Sequence, residues 1–147
     1  MSRLWGAVAA LAAAVWLLPG AAAAFAQDPA PKVMREFRGV KLGMKADQVH
    51  AAAGKPESAA EGQEEYKLSE DDSMTVYFDE KKEVRAIRAF FTNPKNVPAW
   101  KEVVGDVEVT QNENGSKSAR RVLGEEKFWV SMYQNKDGSV TTITISR

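Results

Sequence analysis

The stretch Phe37–Pro56, FRGVKLGMKADQVHAAAGKP, reads as a short strand, a glycine turn, one short amphipathic helix and a hard stop. Phe37, Val40 and Leu42 supply apolar anchors ahead of the helix. The apolar spacing predicts a helix over Ala46–Ala53, with Val49, Ala52 and Ala53 as its buried stripe. Asp47 complements the helix dipole in the first turn, Gly54 closes the last turn, and Pro56 prevents continuation. A helix this short is not stable alone in water, so it must lie on a sheet.

Upstream, Arg3 precedes the uncharged apolar run Leu4–Leu18, and Pro19-Gly20 breaks that run. Ala24-Phe25-Ala26 then forms a small-x-small cleavage site, so residues 1–26 are expected to be a signal peptide. The run is shorter than the ~20 residues of a membrane span, and no span is expected in the mature chain. With no cysteine in the sequence, lipid attachment of the bacterial lipoprotein kind is excluded. Removing residues 1–26 from 147 leaves 121, one domain's worth of chain. Arg3 is the only charge lost, which leaves 19 basic residues of the original 20 against 20 acidic ones. That balance gives no electrostatic footprint for nucleic acid or an anionic membrane. A fold held without disulfides in an oxidising compartment suits a bacterial periplasm, or secretion from the cell. Residues 27–36 read as a flexible lead-in.

Downstream, Glu57–Gln63 is polar and reads as a loop, and Tyr66 and Leu68 mark a short half-buried strand. Met74, Val76 and Phe78 lie on one face of a clear strand. Val84–Thr92 fits helix or strand by its own pattern, and the second half of the chain decides it. Pro98–Gly105 repeats the helix-then-glycine pattern, with Gly105 placed 51 positions after Gly54. Phe128–Met132 matches Met74–Phe78 at an offset of 54, and Val140–Ser146, a strand, matches Val84–Phe90 at 56. Val84–Thr92 is therefore a strand. Val107–Thr110 and Ser118–Leu123 pair across the turn signal Asn114-Gly115, and Lys136-Asp137-Gly138 is a further hairpin turn. The fold class is α+β: tandem helix-plus-antiparallel-hairpin units, 37–93 and 94–147, form one sheet with short helices on one face.

Val40-Lys41-Leu42-Gly43-Met44, Val49, Gly54-Lys55-Pro56 and the hairpin around Tyr77-Phe78-Asp79 resemble the small periplasmic BamE (SmpA/OmlA-type) family. The related β-lactamase-inhibitor-protein-like fold uses this unit in tandem. The resemblance covers about residues 37–91 and is weak over 98–146. It implies an α+β fold whose sheet binds other proteins, with a role in envelope assembly or maintenance. Lys45 departs from it, standing where the family often has a Ser or Thr helix cap.

Catalytic chemistry has little to work with. There is no thiol, and His50 is the single histidine, which excludes a two-histidine metal site. No nucleophile elbow, phosphate loop or dinucleotide fingerprint occurs. His50 reads as a surface side chain, and the acidic clusters Glu64-Glu65 and Glu70-Asp71-Asp72 read as solvated turns. The expectation is no enzyme, no catalytic residue, no metal and no cofactor. What remains is a surface. Strand alternation sends Ile87, Ala89, Ile143 and Ile145 inward, and Tyr77, Arg88, Phe90, Trp129 and Tyr133 outward, with the composition of a protein-binding face. The expected partner is another exported or envelope protein. Two alternatives use other parts: a secreted-enzyme inhibitor working through Asp79–Glu83, or a small-molecule or lipid carrier with a cavity between helices and sheet.

Overall fold

The computed structural model describes residues 31–147; the expected signal peptide, 1–26, and positions 27–30 of the lead-in lie outside the described residues. Arg38 and Gly39, both at positive φ, close a two-residue turn between β1 (Glu36–Phe37) and β2 (Val40–Lys41). α1 (Ala46–Ala53) ends at Gly54, which takes φ +86°. Val49 is its buried residue, while Ala53 is half-buried and Ala52 exposed, so its stripe is narrower than the spacing implies. Lys45 offers no capping oxygen. Gln48 Oε1 instead accepts the Lys45 backbone N–H at 2.9 Å, the reciprocal half of a capping box.

β3 (Ser58–Ala60), β4 (Gln63–Lys67), β5 (Ser73–Phe78) and β6 (Val84–Phe91) follow as an antiparallel meander. A connector with a 3-10 turn at Pro94–Asn96 leads to α2 (Trp100–Val104). A second meander comprises β7 (Thr110–Gln111), β8 (Lys117–Leu123), β9 (Phe128–Gln134) and β10 (Thr141–Ser146). The meanders join through their last strands into one eight-stranded sheet ordered β3-β4-β5-β6-β10-β9-β8-β7. The architecture is thus α+β, and Val84–Phe91 is a strand. The loop expected over Glu57–Gln63 contains β3, an edge strand whose Ser-Ala-Ala sequence has no alternation to reveal it.

Register relates the two halves. Met74 faces Ala89, and Val130 faces Ile145, each residue standing 56 positions from its counterpart. The offset of 54 read from the apolar pattern differs because sliding a strand by two residues preserves both its faces. On the inner face Met74, Val76, Ile87, Ala89, Val130, Met132, Ile143 and Ile145 are at most 1 % exposed. Val49 of α1 and Val103 and Val104 of α2, all fully buried, close this layer. Burying each such aliphatic side chain contributes about 1.5–3 kcal/mol before entropy is counted.

The sequence places 31–36 in the flexible lead-in, yet Val33 and Met34 pack against the core. Met34 N–H donates to the Val103 carbonyl at 2.9 Å. The last carbonyls of a short helix have no donors within it, and this strap supplies one. Gly105 permits the approach, since a Cβ there would sit 2.8 Å from the Lys32 carbonyl oxygen. Among the described residues no helix is long and apolar enough to cross a membrane.

Candidate functional site: the outer face of the sheet

Because successive side chains alternate across a strand, the buried residues above fix which ones face away from the helices. Three rows result. The first runs Ser73, Phe90, Thr142, Tyr133, Ser118; the second Thr75, Arg88, Thr144, Ser131, Arg120; the third Tyr77, Ala86, Ser146, Trp129, Val122. Tyr77, Arg88, Phe90, Trp129 and Tyr133 therefore share one face. Phe90 is 39 % exposed and Tyr133 42 %, whereas Tyr77 and Trp129 are half-buried.

The five do not form one cluster. The Arg88 guanidinium lies 5.6 Å from the Tyr77 ring centroid. Phe90 and Tyr133 flank Thr142 on opposite sides, two strand spacings apart, about 10 Å. Trp129 has a different partner, Arg120, whose guanidinium sits 4.2 Å from its ring centroid. The face is thus two arginine–aromatic pairs either side of a hydroxyl strip, Thr142, Thr144 and Ser146. Each pair draws on the attraction between a cation and a π face. Arg120 and the 58 % exposed Val122 belong to this surface but escape the sequence reading. The adjacent Arg120-Arg121 hides the phase of β8, and only the buried Ala119 reveals it. A groove of about 470 Å³ opens beside Arg120, Ser131 and Tyr133, with Glu108 and Thr110 on its far wall.

The acidic clusters are not simple solvated turns. Glu64 is in β4, its side chain 14 % exposed, and accepts the Tyr66 hydroxyl at 2.6 Å. His50 Nε2 lies 3.1 Å from both Glu64 oxygens, so α1 is tied to the sheet here. Burial first, and the Glu64 carboxylate second, push the Tyr66 phenol well above its usual value. Asp72, 4 % exposed, accepts from the amides of Thr92 and Asn93, from Asn96 Nδ2 and from Ser69 Oγ. These contacts fasten the β4–β5 turn to the connector between the two halves. In the Asp79–Glu83 turn, Asp79 Oδ1 accepts from the amides of Lys81 and Glu83, and Arg147 bridges Asp79 and Glu83. Among the described residues no group of three His, Asp or Glu side chains is arranged to hold a metal ion.

No family model matches the chain, and no curated protein does. A solved structure is similar in fold. It is the crystal structure of a DUF4309 family protein, YjgB, from Bacillus subtilis, with 16 % identity and a TM-score of 0.50. The match covers 74 % of this chain and 82 % of that one.

Proposed function

We propose that this chain is an exported, non-enzymatic binding module that docks another exported or envelope protein on the outer face of its sheet. The observation that carries this reading is the pairing of Arg88 with Tyr77 and Arg120 with Trp129 on the side away from the helices. Tyr, Trp and Arg dominate the energetics of protein interfaces, and the two arginines favour an acidic partner surface. The leader over 1–26 supports the compartment. The resemblance of residues 37–91 to BamE-type proteins supports a role in envelope assembly or maintenance.

The test is capture from a periplasmic extract with wild-type protein, Trp129→Ser, Tyr77→Ser and Arg88→Glu/Arg120→Glu as baits. A partner held by the wild type is expected to be lost from all three variants, and to be released from the wild type as salt rises. All three are expected to keep the wild-type far-UV circular dichroism spectrum. Retention of the same partner by the double charge reversal overturns the reading. So does unfolding of both aromatic variants, which would make those side chains core. The inhibitor alternative rests on the exposed tip Glu80-Lys81-Lys82, and replacing these three with Gly-Ser-Gly separates it from sheet docking.

A further inference from the structure

Arg121 follows the buried Ala119 by two positions, so it stands on the helix-covered side of β8. Its Nε is buried without a hydrogen-bond partner, and no carboxylate pairs with its guanidinium among the described residues. The side chain as a whole is only half-buried and its two terminal nitrogens are not buried with Nε, so the guanidinium faces the groove without a counter-charge and is satisfied when an anion arrives. The side chain lines a groove of about 860 Å³ between the strap and α2, a size suited to a small ligand.

The other walls define that ligand. Pro31, Met34, Pro98 and Ala99 are apolar. Of the remaining charges, Lys101 pairs with Asp106 at 2.9 Å, and Glu102 Oε2 accepts the Ala99 amide at 3.1 Å. Lys32 has no ion pair among the described residues, so the groove carries three positive side chains, Lys32, Lys101 and Arg121, against two negative ones, Glu102 and Asp106, and Lys32 and Arg121 are the cations without a carboxylate partner. A guanidinium fork matches a carboxylate in bidentate geometry. Glu102 and Asp106 on the same walls disfavour a more highly charged anion.

We propose that this groove binds a monocarboxylate carried on an apolar chain, its head on Arg121 and Lys32 and its body along Pro31, Met34 and Pro98. The site lies on the opposite side of the sheet from the proposed docking face and does not depend on it.

The test titrates ¹⁵N-labelled protein with octanoate, followed by amide correlation spectra. Saturable shifts are expected at Lys32, Met34, Lys101 and Gly105 and at the Arg121 Nε–H, with Ser131 and Thr144 unmoved. Arg121→Gln is expected to weaken binding at least tenfold without lowering Tm, and Lys32→Gln about threefold. Octylamine, with the same body and opposite charge, is expected to give no saturable shift, and inorganic phosphate to bind at least tenfold more weakly than octanoate. The absence of saturable shifts with octanoate overturns the proposal, as does unchanged affinity in both variants. Unfolding of Arg121→Gln with unchanged affinity in Lys32→Gln makes the arginine structural and also overturns it. Equal binding of phosphate overturns the apolar half of the ligand.

Discussion

Tyr66 and Arg121 occupy the same place in the two halves, one facing Met74 and the other facing Val130, the residue 56 positions on. They end in opposite conditions. The Tyr66 hydroxyl is spent on Glu64, which His50 also meets from the longer helix, and only a small groove of about 190 Å³ is left beside it. In the second half the helix has five residues instead of eight, no carboxylate among the described residues reaches Arg121, and a larger groove remains. Two halves with matching strand register can therefore share one sheet while one holds a finished polar network and the other an unfinished one.

The largest expected effect lies where the first meander is fastened to the connector that follows it. Asp72→Ala leaves the Thr92 and Asn93 amides, Asn96 and Ser69 without their acceptor. Charge-assisted bonds of this kind are worth about 1.5–3 kcal/mol each and do not add fully. The variant is expected to lose about 3 kcal/mol, read as a Tm roughly 12 °C lower. Burial alone pushes the Asp72 carboxyl up, but hydrogen bonds from Asn96, Asn93, Ser69 and Thr92 together outweigh it and hold it below its usual value. A carboxyl depressed by folding contributes stability that is complete above about pH 4 and is lost as pH falls through the folded value. Asp72→Asn is therefore expected to flatten the fall in stability below pH 4, measured by urea unfolding across pH.

A smaller contrast separates the two helix-ending glycines. Both hold positive φ, which costs a non-glycine residue on the order of 1–3 kcal/mol. A Cβ at Gly54 meets nothing within 4 Å, whereas one at Gly105 collides with the Lys32 carbonyl. Gly54→Ala is expected to cost about 1–2 kcal/mol by urea titration, and Gly105→Ala about 1 kcal/mol more. In hydrogen exchange only Gly105→Ala should lose protection at the Met34 amide, because only there is the strap displaced.

The smallest effect separates Tyr66 from Arg121. Tyr66→Phe removes a partner from the mostly buried Glu64 and is expected to cost about 1–2 kcal/mol. Arg121→Met removes a half-buried guanidinium whose Nε has no hydrogen-bond partner among the described residues, and is expected to be neutral or slightly stabilising. Equal losses in the two variants, measured by chemical denaturation, would mean that the halves do not differ in the way described.

Periodicity made much of this legible. Gly54 and Pro56 mark the end of α1, and the alternation in Met74–Phe78 and Val140–Ser146 sorts inward from outward residues. The two halves also settled Val84–Phe91 as a strand. What stayed hidden depends on contacts distant in sequence. Asp72 looks like one more acid in a solvated run until Asn96 and the connector fold over it. Arg121 looks like half of an exposed arginine pair until the buried Ala119 sets the phase of β8. The strap looked like a tail because a free Val103 carbonyl has no signature of its own.

The middle of the sheet is made by β6 and β10, and β10 follows every other strand in the chain. A growing polypeptide that stops before Thr141 holds two ribbons, each with an open inner edge and no strand pairing to join them. Ile87 meets Ile145 across 58 positions, so the closing step brings distant segments together and is intrinsically slow. Until it occurs the ribbons are exposed to mispairing with other chains. The single sheet thus depends on one late, long-range seam, the β6–β10 pairing.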